Sequence, residues 1–171
     1  VRANSITSVL HKGDRFDIPT TNVERTRIEN VLRNTGFYYF NKEYITYNFD
    51  TSGGKQTVDI KVILNQPSDS TEHHQYRLGN FYIVTDYAIN KLNDTIHRDT
   101  IKLGKFDEYN IIYNKPVIRN KVLMSAIYMK TDSLYQHLLE QRTVSRLSQF
   151  GMFRYVSSDF VRARNREGRY L

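Results

Sequence analysis

Apolar positions change period along this chain, and each change marks an element. In "NSITSVLHK", Ile6, Val9 and Leu10 recur at i, i+3 and i+4, which predicts a short helix over 4–12 ended by Gly13. Thr21 with Glu24 three residues on reads as a capping box just after Pro19. Ile28, Val31, Leu32 and Thr35 then keep helical spacing up to Gly36. From Tyr44 the period falls to two. Ile45, Tyr47 and Phe49 fall on one face, and Tyr44, Thr46 and Asn48 on the other. "DTSGGK" is a turn, and Val58, Ile60, Val62 and Leu64 resume the alternation, so 44–64 reads as a β-hairpin around a Gly-Gly loop.

The polar stretch "NQPSDSTEHHQ", 65–75, reads as a linker between two domains. "YRLGNFYIVTDY", 76–87, is a strand by its β-branched and aromatic content, 88–109 is a polar excursion or hairpin, and "NIIYN" resumes a strand. Ile118, Val122, Leu123 and Ile127 return to helical spacing. Ser133 and Gln136 suggest a second capping box, and Leu139, Thr143, Leu147 and Phe150 carry a helix to Gly151. "MFRYVSSDFVRA" then reads as a strand. The two halves align through these helix exits, with Leu32 and Gly36 matching Leu147 and Gly151. A repeat of helix, helix, glycine and strand in fixed order predicts tandem α+β modules.

Composition narrows what such modules do. The 171 residues carry a net charge of +7, part of it in Arg162, Arg164, Arg166 and Arg169, which raises the prospect of an anionic partner. The chain has no cysteine, which removes disulfides, thiolate metal sites and a cysteine nucleophile. No apolar run approaches the ~20 residues that span a bilayer; the longest, "VLMSAIYM", lies between Lys121 and Lys130. His11, His73, His74, His97 and His137 show no metal-ligand spacing, and no phosphate-binding or nucleophile-elbow motif is present. The sequence therefore points away from an enzyme and from any cofactor, metal or small-molecule substrate.

Seven aromatic rings between Phe37 and Phe49 raise the alternative of a basic nucleic-acid-binding protein that stacks bases. An RNA-recognition strand wants Lys or Arg and Gly before its rings. Here Thr35-Gly36-Phe37 and Phe150-Gly151-Met152 stand there instead, and the alternation turns several rings toward a core. The expectation is no nucleic-acid partner.

The segments "GDRFDIPTTNVERTRIENVLRNTGFYYF" with "YITYNFDT", and "VLMSAIYMKTDSLYQHLLEQRTVSRLSQFGMFRYVSSDF", resemble POTRA domains of the BamA/TamA-type outer-membrane assembly factors, and among them a TamA-like assembly lipoprotein. The resemblance implies tandem strand-helix-helix-strand-strand modules, each with two helices on a small three-stranded sheet. Residues 1–66 would be a module lacking its first strand. Residues 67–171 would be a second, with an excursion at 88–109 and a truncated last strand. It further implies a non-enzymatic scaffold on the periplasmic face of the outer membrane, within a longer membrane-anchored chain that continues into a barrel. Its partners would be unfolded outer-membrane protein clients or assembly subunits. In such modules the second strand is an exposed edge. It maps onto Tyr44, Ile45, Thr46, Tyr47, Asn48 and Phe49 in the first copy, and onto Phe153, Arg154, Tyr155 and Val156 in the second. An edge strand binds extended chains through its backbone, unless a neighbouring module caps it.

Overall fold

The computed structural model describes residues 8–54, 56–67, 72–85, 97–103, 107–113, 118–162 and 170–171. The chain is α+β and divides into two compact units, Val1–His74 and Gln75–Leu171.

In the first unit, α1 spans Ile18–Arg33. It begins three residues before the expected capping box, with Asp17 at the N-cap and Pro19 in the first turn, where a missing N–H costs nothing. Its covered stripe is Thr21, Glu24, Ile28 and Leu32, spaced by three and four. The exit is as the sequence predicts. Gly36 sits at φ 104°, and the Phe37 N–H folds back to the Leu32 carbonyl at 3.3 Å, a Schellman closure. A 3-10 turn at Lys42–Tyr44 leads into β1 (Ile45–Asp50), which pairs antiparallel with β2 (Asp59–Leu64) from Ile45↔Leu64 to Asp50↔Asp59.

The expected helix over 4–12 is corrected in its described part; residues 4–7 lie outside the described residues. The N–H of Val9 bonds to the Glu24 carboxylate at 3.0 Å, and the N–H of Leu10 to the Ser8 hydroxyl at 3.1 Å. With those donors taken by side chains, residues 8–12 form a bend and turn instead of a helical ladder.

In the second unit, the expected strand 76–87 is split in its described part; residues 86–87 lie outside the described residues. Residues 76–79 pair with two segments: Leu78 N–H to Ser133 O at 2.8 Å and Tyr135 N–H to Tyr76 O at 3.0 Å on one side, Leu171 N–H to Arg77 O at 2.9 Å on the other. Beyond the break, β3 (Phe81–Val84) joins a three-stranded sheet of order β3-β5-β4. It runs parallel to β5 (Asp107–Tyr113), which pairs antiparallel with β4 (His97–Leu103). The excursion at 88–109 thus supplies β4 and the start of β5; its residues 88–96 and 104–106 lie outside the described residues.

Two helices follow: α2 (Asn120–Ser125) and α3 (His137–Ser148). The apolar spacing through Ile127 predicts a longer α2. It stops because tertiary partners claim the next backbone groups. The Tyr128 N–H goes to Thr143 Oγ1 at 3.1 Å, and the Met129 carbonyl accepts the Tyr109 hydroxyl at 2.8 Å. The start of α3 is likewise delayed past Ser133, because residues 132–135 are drawn into pairing with 76–78. Tyr135, Leu78, Ile111, Leu123, Ala126 and Met129 form the core of this unit.

The expected strand at 152–163 is also corrected. Its described residues, 152–162, join no ladder. The segment is held by side chains instead, Ser158 on Glu140 and Phe160 edge-on to Tyr135 at 5.5 Å. The element order of this unit, three strands and then two helices, differs from strand-helix-helix-strand-strand. The first unit shows one α-helix among its described residues where two were expected. The basic cluster at Arg164, Arg166 and Arg169 lies outside the described residues.

Candidate interaction surface

The hairpin of the first unit carries most of the sequence-predicted site residues, and its register decides which backbone groups face outward. The Asn65 N–H donates to the Tyr44 carbonyl at 2.8 Å. Hydrogen-bonded pairs therefore fall at 44, 46, 48 and 50, and residues 45, 47 and 49 turn their N–H and C=O away from β2. The Ile45 N–H is already taken by the Lys42 carbonyl at the end of the 3-10 turn. Tyr47 and Phe49 make no backbone hydrogen bond beyond the hairpin among the described residues, and β1 pairs with β2 alone there.

Side chains anchor this edge from one face. Ile45 is buried at 1% exposure. Arg25 of α1 lies over the Tyr47 ring, 5.4 Å from its centroid, and Phe16 meets Phe49 edge-on at 5.1 Å. Burial of the Tyr47 hydroxyl, followed by the nearby Glu24 charge, raises its pKa. Thr46 and Asn48 point to the exposed face. Of the seven rings between Phe37 and Phe49, Phe40 is buried, Tyr39 and Phe49 are exposed, and the others are half-covered.

Tyr44 sits at the hairpin's root in a box that sequence reasoning missed. Its ring lies 4.8 Å from that of His73, and Phe40 lies 5.0 Å from His73. The His73 Nε2–H donates to the Asn65 carbonyl at 2.8 Å. His73, in the stretch read as a plain polar linker, thus folds onto the module before it; residues 68–71 of that stretch lie outside the described residues. The available signal was two aromatic side chains four residues apart just before the hairpin, Phe40 and Tyr44, with imidazoles in the stretch that follows it.

Phe153, Arg154, Tyr155 and Val156 are not brought into a comparable edge. They lie in the ladder-free segment after α3, with Phe153 and Val156 half-covered and Tyr155 81% exposed. A strand with no partner beside it presents no preorganised row of donors and acceptors, so the second predicted edge is absent as an edge.

Two glutamates fix the segments around these surfaces, and neither was singled out as a site. Glu24 accepts from Ser8 Oγ and the Val9 N–H at 3.0 Å each, and Arg27 clamps both its oxygens. The Arg27 bond, acting against burial, lowers the carboxyl pKa from 4.5 to about 2. Glu140 accepts from Tyr135 and Ser158, each at 2.5 Å, with His137 Nδ1 at 3.3 Å. Burial raises its pKa, but these bonds together outweigh that and leave it below the ordinary carboxylate value. Among the described residues no group of three His, Asp or Glu could hold a metal ion, and no helix is long and apolar enough to cross a membrane.

No protein-family model and no curated protein sequence matches this chain.

Proposed function

We propose that this chain is a scaffold that captures extended polypeptides along the outer edge of β1, as a pair of POTRA-like modules in an outer-membrane protein assembly factor at the periplasmic face. The single observation that carries the reading is the outward row of backbone groups at Tyr47 and Phe49. A row of this kind adds a strand from a partner through main-chain bonds that are indifferent to sequence, which suits unfolded clients or assembly subunits. The glycine exits at Gly36 (φ 104°) and Gly151 (φ 68°), each four residues after a leucine, support the repeat on which the POTRA resemblance rests. A downstream membrane barrel belongs to the same reading.

The test is NMR shift mapping with an extended apolar peptide. Shifts should concentrate on 45–50. Tyr47→Pro removes one outward N–H and should abolish binding with the circular dichroism spectrum unchanged; Tyr47→Thr removes the ring but keeps the N–H and should retain binding. Proline at Ile45 or Thr46 is less informative. The first N–H is already bonded, and the second faces β2. Binding should persist at high salt. If it vanishes there and nucleic acid competes, the nucleic-acid alternative replaces this reading.

A further inference from the structure

A second surface, independent of the β1 edge, lies in the second unit. A shallow, open groove of about 580 Å³ runs along α3 beside Tyr128. Leu138, Arg142, Ser145 and Gln149 run along it as one helical stripe, and Gln141 and Arg146 flank them. Its apolar floor is exposed, Tyr128 at 43% and Leu138 at 45%.

Its charge is one-sided. No acidic residue lines the groove. Among the described residues the Arg142 guanidinium has no hydrogen bond or ion pair. Arg146 has only a long 3.5 Å bond to Gln149 Oε1 and a position 5.8 Å from the centre of the Phe150 ring. Glu140, the carboxylate on the same helix, points elsewhere and is saturated by Tyr135, Ser158 and His137. Two guanidiniums one turn apart, beside an exposed leucine and tyrosine, match a segment that offers carboxylates and an apolar side chain together.

We infer that this groove docks an acidic, amphipathic peptide segment of a partner protein. Carboxylates would sit on Arg142 and Arg146, an aliphatic or aromatic side chain on Leu138 and Tyr128, and the amides of Gln141 and Gln149 at the rim. Guanidinium forks suit carboxylates geometrically. The groove volume suits a few side chains. A nucleic-acid strand fits less well, because it needs a continuous track of cations and this groove holds two, set against an apolar floor.

The experiment is fluorescence polarisation of the whole chain with a fluorescein-labelled amphipathic Glu/Leu peptide, with oligothymidine as competitor. The peptide should bind, and the charge reversal Arg142→Glu/Arg146→Glu should weaken it at least about tenfold, equivalent to ~1.4 kcal/mol. Leu138→Asn, at an exposed position, should weaken it about threefold or more without loss of helical circular dichroism. Oligothymidine should not displace it. The inference is overturned if the peptide fails to bind, if the double reversal leaves affinity unchanged, or if oligothymidine displaces the peptide. The β1 edge lies in the other unit, and the same titration with Tyr47→Pro separates the two: it lowers binding at 45–50 and leaves binding in the groove unchanged.

Discussion

The Glu24 carboxylate and the Arg27 guanidinium, one turn apart on α1, meet through two hydrogen bonds, Nε to Oε2 at 2.8 Å and Nη2 to Oε1 at 2.7 Å. The same carboxylate holds the Val9 N–H and the Ser8 hydroxyl, so one buried side chain ties the segment at 8–10 to the helix. Because the folded pKa is about 2 against an ordinary 4.5, the ionised form is favoured in the fold. Its stabilisation is fully present above about pH 4.5 and is lost as pH falls toward 2. Glu24→Gln should cost about 1.5–3 kcal/mol at pH 7 and progressively less toward pH 2. Urea unfolding of both proteins at several pH values checks this, and a pH-independent difference would contradict it.

Ser158 is expected to act as a latch on the segment after α3. Its hydroxyl reaches Glu140, and Phe160 covers Tyr135 two residues later. Ser158→Ala should raise hydrogen exchange or protease cutting in 152–162 while α3 stays protected. The loss should be about 1 kcal/mol, one hydrogen bond to a partly buried carboxylate. Equal protection in both proteins would show that the apolar contacts suffice.

Gly79 has no room for a side chain. A Cβ there would stand 2.8 Å from the backbone carbonyl oxygen of Leu171, whose own acceptor contact is the Gly79 N–H at 2.7 Å. Gly79→Ala should therefore separate the 76–79 and 170–171 segments and cost about 1–3 kcal/mol by overpacking. Thermal unfolding would register a lower Tm, and an unchanged Tm would mean that the segments part freely.

Leu123 and Leu147 should respond differently to truncation. Leu123 is fully buried, and its replacement by Ala should cost about 2–5 kcal/mol. Leu147, like Leu32, is only half-covered, so its cost should fall below about 2 kcal/mol. Denaturant midpoints of the two variants give the comparison.

Thr46→Pro should break the hairpin, since the Thr46 N–H belongs to a hydrogen-bonded pair with Ile63. Amide exchange across 45–50 and 59–64 should rise together. Protection left intact would place the register one residue away.

The features legible in the amino-acid pattern are those that short-range chemistry governs. The alternation from Tyr44 to Leu64 around two glycines sets the hairpin and its faces, because side-chain period and turn conformation are both local. Gly36 and Gly151 take the left-handed φ that ends a helix, for the same reason. Tertiary structure decided the cases in which a distant group competed for the same backbone. Val9 looked helical until Glu24 took its N–H, and α2 stopped short because Thr143 and Tyr109 claimed Tyr128 and Met129. The stretch 76–87 read as one strand, but its residues 76–79 and 81–84 serve different partners, and 152–163 read as a strand, yet its described residues 152–162 joined no ladder. The candidate site divides along the same line. The β1 strand was legible in the alternation and its role as an edge was implied by the POTRA resemblance, whereas its outward donors depend on which hydrogen-bonded pair the register chose. The α3 groove was not legible, since it needs Tyr128 from another segment beside Leu138 and Arg142. Spacing reports which residues share a face, but only the folded chain brings a second segment against that face.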